Sequence, residues 1–181
     1  MMRFPKSYAD RVQRLRVPGG FVILAAFIFL SRPSYDSYFW GIPVSLFGLW
    51  IRAWAAGHLA KNETLAQSGP YSLVRNPLYL GSLFMAGGVV ISSHSWPLAA
   101  VFTSAFLLIY LPVIQLEEEH LRKLFPAYAS YADRVPSLLP RFGPADSGAG
   151  FRAELYWRNQ EWRAVLGYLF AAVLLLAKLV I

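Results

Sequence analysis

Arg75, Asn76 and Pro77 close a polar, turn-forming loop that starts at Ser68-Gly69-Pro70-Tyr71, and they hand the chain to an intensely apolar run from Leu78. That order of residue types predicts a capped helix start. The Asn76 side-chain oxygen can accept from a free backbone N–H, and Pro77 suits the first helical position, where its missing N–H costs nothing. Arg75 and Tyr79 then flank a helix N-terminus, whose free N–H groups and positive dipole end favour anions. The chemistry expected here is the holding of an anion.

A second cluster, Glu117-Glu118-Glu119-His120-Leu121-Arg122, poses the opposite problem. Three adjacent carboxylates directly after a long apolar run sit badly beside anionic headgroups, and near a helix C-terminus they also oppose the dipole. Something cationic is expected to offset them. Glu118 can pair with Arg122 at i, i+4, which is worth only about 0.2–0.5 kcal/mol; alternatively, a cationic ligand lies against Glu117 or Glu118.

The elements that position these groups belong in a membrane. The chain has 181 residues, of which 56% are hydrophobic and 16% aromatic, and its mean hydropathy is +0.42. That is one-domain length with more apolar side chain than a soluble domain carries. There is no cysteine, which excludes disulfides and thiolate nucleophiles; the three scattered histidines offer no structural zinc site, and no metal is expected. The net charge of +7 comes without a nucleic-acid module, so membrane lipids rather than nucleic acid are the expected partner.

Apolar runs of helical length mark about five spans, since crossing the hydrocarbon takes about 20 helical residues. Val17 to Leu30 is short and begins at Pro18-Gly19-Gly20; Tyr38 to Gly57 carries Arg52 inside it. Leu78 to Ser93 and Trp96 to Leu116 form a tight hairpin turning at 92–95, with Pro97 opening the second arm and Pro112 kinking it. Ala164 to Ile181 is a clean apolar helix whose Gly167, Ala171 and Ala172 permit close packing. Gly143 to Gly150 reads as a surface linker, and Met1 to Arg16 is polar and basic, without a secretory signal. The expected fold is an all-α integral membrane bundle forming one domain.

Charge sets the expected orientation. Fourteen of the seventeen lysines and arginines fall in residues 1–20, 58–77 and 117–163, leaving Arg32 and Lys178 for the opposite side and Arg52 within a span. The N-terminus is then cytoplasmic and the C-terminus outside, and both chemical clusters share the cytoplasmic face.

Gly57-His58-Leu59 to Asn62, Gly69-Pro70-Tyr71, Arg75-Asn76-Pro77-Leu78-Tyr79 with Gly81, Glu117-Glu118 to Leu121, Phe125, Tyr128, Tyr131, Arg134-Val135-Pro136 and Pro140 together resemble the isoprenylcysteine carboxyl methyltransferase and phospholipid methyltransferase superfamily. The similarity covers about residues 40–142, leaving the spans 17–30 and 164–181 as additions. Asn76 stands where many members have histidine, and Pro126 where a glycine is common. The resemblance implies a methyltransferase using S-adenosylmethionine, with a cofactor pocket at the cytoplasmic interface and a lipophilic or small hydrophobic acceptor, such as an isoprenoid-linked carboxylate or thiol or a lipid amine.

It implies cofactor contacts at His58, Gly69, Tyr71, Leu73, Arg75, Asn76, Pro77, Tyr79, Glu117, Glu118, Tyr128 and Tyr131, with Arg75 and Glu117 as catalytic candidates. Carboxylates at 117 and 118 would offset the cofactor's sulfonium and ammonium, while Arg75 and the 77–80 backbone would bind its carboxylate. Simpler roles stand beside these. Arg75 can be a positive-inside residue, Asn76 only a cap, Tyr71 and Tyr79 interfacial aromatics, and His58, Lys61, His94 and His120 solvent-facing groups. Arg52 must point into the bundle or snorkel. Two other readings of the chain remain: a membrane reductase of related fold using NADPH, and a non-catalytic membrane scaffold.

Overall fold

A computed structural model describes residues 4–180 apart from 142, 144, 145 and 147, and for 15–18 the backbone alone. The described chain is all-helical. In order come α1 (Lys6–Leu30), α2 (Tyr35–Ala56), a 3-10 turn (Gly69–Ser72), α3 (Pro77–Ser93), α4 (Trp96–Ala105), α5 (Leu111–Leu124), α6 (Tyr128–Arg134), α7 (Ala153–Arg158) and α8 (Trp162–Val180).

Two helices are long and apolar enough to cross a membrane among the described residues: α8, and the continuous helix Trp96–Leu124 that runs through α4 and α5. A third is added if α1 is one span; it bends by 61° between Lys6–Arg14 and Gly19–Leu30. The first helix therefore starts at Lys6 rather than near Val17, because the basic N-terminal stretch winds helically against α5. There Phe4 exchanges hydrogen bonds with the Gln115 side chain, its N–H donating at 2.8 Å and its carbonyl accepting at 3.2 Å. α3 is apolar but shorter, at 17 residues.

The expected hairpin is present. Pro77 and Pro97 begin α3 and α4, and His94, at φ 47°, makes the turn between them. Pro112 shapes the second arm by a different device from a simple kink. It has no N–H to give the Leu108 carbonyl, the turn Phe106–Tyr110 widens to a π-helix, and the Tyr8 hydroxyl donates to that carbonyl at 2.8 Å.

α2 and α3 form the tightest seam of the bundle. Gly41, Ser45 and Gly48 on α2 face Gly81, Met85 and Gly88 on α3, and a Cβ on any of the four glycines would run into the opposite helix. The Ser45 hydroxyl donates across the seam to the Met85 carbonyl at 2.9 Å. Small residues that let backbones approach are the usual glue of helices in lipid. Gly167 on α8 is the opposite case, since a Cβ there would meet nothing within 4 Å. Ala171 packs as expected, against the cluster of Phe27, Leu98 and Leu175, whereas Gly167 only borders a cavity.

α8 shows lipid-compatible side chains outward, with Leu166, Phe170, Val173 and Leu176 exposed. The short α7 and the turn after it dock on the end of α2. The Asn159 amide donates to the Ala56 and Leu59 carbonyls at 3.0 and 2.9 Å, and the Arg152 N–H donates to the Gly57 carbonyl at 2.9 Å. Carbonyls at a helix C-terminus lack intrahelical partners, and here residues roughly a hundred positions later supply them. Residues 144, 145 and 147 of the expected 143–150 linker lie outside the described residues; the other five are exposed.

Candidate functional site

The loop before α3 is held in place from both sides. Arg75 and Asn76 donate their backbone N–H groups to the Pro136 and Ser137 carbonyls at 2.9 and 3.2 Å, and the Arg141 N–H donates to the Leu73 carbonyl at 3.0 Å. At its start, Gly69 adopts φ +57°, and a Cβ there would meet the His58 ring at about 2.6 Å. Only glycine satisfies both the positive φ and the imidazole. His58 itself donates from Nδ1 to the Trp54 carbonyl at 2.9 Å, which fixes its tautomer, because a carbonyl can only accept.

Side chains from this loop converge on α5. Arg75 meets Glu118 through Nε at 3.2 Å and through Nη2 at 3.0 Å, and its Nη1 donates to the Ala132 and Val135 carbonyls at 2.6 and 2.9 Å. Glu118 also accepts from Asn76 Nδ2 at 2.8 Å and from the Ser137 hydroxyl at 2.7 Å. The carboxylate is 8% exposed and surrounded by donors. A buried charge needs such a set of partners, and this one has them.

Two expectations change as a result. Asn76 does not cap α3 with its side chain; its amide is drawn to Glu118 and Ser137, and the N-cap backbone sits at φ −120°, ψ 57°. Glu118 is offset by Arg75 of this chain, not by Arg122, which lies 5.8 Å over the Tyr128 ring. Arg75 borders the cavity described next, but its guanidinium is committed to Glu118 and to α6.

That cavity, of about 510 Å³, opens between the loop, the start of α3, α5 and α6. Of the expected cofactor residues, Tyr71, Arg75, Asn76, Pro77, Tyr79, Glu117, Tyr128 and Tyr131 line it; His58, Gly69, Leu73 and Glu118 do not, though Glu118 holds Arg75 and Asn76 in the wall. Lys61, Asn62, Thr64 and His120 also line it, and His120, expected in solvent, is an exposed rim residue.

The polar face of the cavity is Glu117, which accepts from the Tyr79 hydroxyl at 2.8 Å. The Tyr131 hydroxyl donates to the Tyr71 carbonyl at 2.7 Å. The Tyr128 hydroxyl is different: it is buried and has no hydrogen-bond partner among the described residues. Burial first, and then Glu118, raise the Tyr128 phenol well above its ordinary value, so it stays a donor. Burial likewise raises Tyr71, helped by Glu117, and Tyr131, helped by Tyr128.

A second cavity, of about 560 Å³, lies among α1, α3, α4 and α8 and is almost wholly apolar. Its polar lining gathers around Arg52, Ser82, Tyr79 and Tyr110, with Tyr168 on α8. Arg52 points inward and forms a bidentate pair with Glu161, from Nε at 2.9 Å and from Nη2 at 2.8 Å, while Nη1 donates to Ser82 and the Leu78 carbonyl. Glu161 had no signal in the sequence beyond an acid placed just before the last apolar helix. Tyr79 lines both cavities, with its ring edge-on to Tyr110 at 6.2 Å.

Comparison with known proteins gives this chain a family. The phospholipid methyltransferase family matches residues 37–128, half of the chain. The cobalt-zinc-cadmium resistance protein CzcN of Cupriavidus metallidurans is 40% identical over 102 residues, which are 56% of this chain and 46% of that protein. The nickel-cobalt-cadmium resistance protein NccN of Alcaligenes xylosoxydans xylosoxydans is 35% identical over 102 residues, 56% of this chain and 47% of its own length. The matched region thus spans about half the length of these curated relatives. No solved structure matches. With its family match running from α2 through the start of α6, the chain belongs to the phospholipid methyltransferase family.

Proposed function

We propose that this protein is a membrane-embedded methyltransferase that uses S-adenosylmethionine and methylates a lipophilic or small hydrophobic acceptor. The observation that carries this reading is the position of Tyr79 on the shared border of a polar and an apolar cavity. One ligand can be polar and charged, the other lipid-like, and they meet at one residue.

The polar cavity fits the cofactor. Its volume lies in the usual range for ligand sites, about 300–1,000 Å³. The Tyr128 hydroxyl is a donor buried beside the cavity without an acceptor, and a ligand toward which its ring shifts would satisfy it. Glu117 would offset the cofactor's positive charges, the first turn of α3 would receive its carboxylate, and Tyr71 and Tyr131 would wall its adenosine. When bound, S-adenosylmethionine supplies a methyl carbon on a sulfonium, open to in-line attack. The chain's own part is to hold the two reactants in line and to keep water out, where positioning dominates the rate. Arg75 acts in this scheme through Glu118 and α6, as a positioning residue.

In the membrane we place α1, α2, α3, the α4–α5 helix and α8 as five spans, with the N-terminus and the polar cavity at the cytoplasmic face, where most basic residues gather. The acceptor would enter the apolar cavity from the bilayer.

Calorimetry of the purified protein with S-adenosylhomocysteine tests the reading, alongside NADPH as the competing cofactor. Binding of S-adenosylhomocysteine supports it. Binding of NADPH alone would replace it with a reductase.

A further inference from the structure

α8 lies beyond the residues that match the family, yet it forms a wall of the apolar cavity. α8 is fastened at three heights. At its start Glu161 holds Arg52; midway the Tyr38 hydroxyl donates to the Ala172 carbonyl at 3.2 Å; near its end Lys178 donates to the Ser31 carbonyl at 3.0 Å. Between the first two fastenings Ala164, Gly167 and Ala171 face the cavity.

Glycine at 167 serves no close helix contact, since a Cβ built there meets nothing within 4 Å. The four glycines of the α2–α3 seam show what a packing glycine looks like in this protein, and Gly167 differs from all of them. What Gly167 contributes is volume. A cavity of about 560 Å³ left empty between helices would forfeit dispersion contacts along its walls, at a cost comparable to a domain's usual stability margin. An apolar chain is the occupant that its mostly apolar lining suits. Its polar lining, around Arg52, Ser82 and Tyr79, says which way that chain lies: head toward the polar cavity, tail along α8. Because Glu161 already neutralises Arg52, the head at that end need not be an anion.

We propose that Gly167 is a specificity-determining residue of the acceptor cavity, and that its missing side chain sets how long an apolar chain the acceptor can carry past the first turn of α8. This rests on the methyltransferase reading above.

The test uses the full chain in nanodiscs, with octanol and hexadecanol as non-reacting probes of the cavity, scored by native mass spectrometry for wild type, Gly167→Phe and Ala171→Leu. Hexadecanol binding is expected to fall about tenfold against octanol in Gly167→Phe, the effect of roughly two excluded methylenes, while S-adenosylhomocysteine binding stays unchanged. Ala171→Leu carries the same expectation should Gly167→Phe not fold. An unaltered ratio of the two alcohols, or an equal loss of both, overturns the proposal. Absence of S-adenosylhomocysteine binding in wild type would instead remove the methyltransferase reading, and the alcohol ratio would still report on the cavity.

Discussion

Arg75 and Glu118 stand 3.0 Å apart, Nη2 to Oε2, across the boundary between the loop before α3 and the helix α5. Each is the main charge partner of the other. Removing one leaves an uncompensated buried charge, which costs about 3–5 kcal/mol. Glu118→Ala is therefore expected to lower the melting temperature sharply in detergent, and Arg75→Lys to lower it as well, because lysine lacks the fork that reaches Glu118 and the Ala132 and Val135 carbonyls together. A melting temperature within a degree or so of wild type for Glu118→Ala would mean the pair does not hold the site.

Tyr79→Phe removes the hydroxyl that Glu117 accepts, at 2.8 Å in the native protein. A hydrogen bond to a charged group is worth about 1.5–3 kcal/mol, so the carboxylate's position should loosen and affinity for S-adenosylhomocysteine should fall about tenfold or more. Titration calorimetry reads this directly. The melting temperature of the ligand-free protein serves as the control for folding.

Tyr128→Phe separates ligand binding from folding more cleanly. Its hydroxyl is buried without a partner, so deleting it should leave the ligand-free protein as stable as before or slightly more so. Affinity for S-adenosylhomocysteine should drop if that hydroxyl donates to the ligand. A variant that loses stability and keeps affinity would show the hydroxyl to be structural.

Alkaline pH acts on the same aromatic wall. Tyr71, Tyr128 and Tyr131 all titrate above their ordinary value of 10.0 in the folded chain, mainly because they are buried. Above about pH 10 the unfolded chain loses these protons while the folded chain keeps them, so stability falls as pH rises. Ultraviolet titration of tyrosinate should find at least three of the ten tyrosines silent until the protein unfolds. Full ionisation of all ten in the folded protein would contradict the burial.

The reach of the sequence ended where partners lie far apart along the chain. Local signals were legible: Pro77 and Pro97 at helix starts, the turn at His94, and an apolar helix at the C-terminus all follow from residue type and spacing. Asn76 was misjudged because its local option, a cap, competes with a carboxylate 42 positions away. The same distance problem hid Glu161, whose partner Arg52 is 109 residues earlier, and Ser137, which the loop reaches only through tertiary folding. The aromatic motifs placed Tyr71, Tyr79, Tyr128 and Tyr131 around one cavity, but whether a given side chain lines it or props it from behind depended on packing that spacing cannot express.

The capping of α2 by Asn159 and Arg152 has a consequence for synthesis. The last turn of α2 leads into His58 and the Gly69 loop, yet the groups that complete it are translated roughly a hundred residues later. The end of α2, which leads into the loop bordering the polar cavity, is therefore completed only once residues 152–159 have been made.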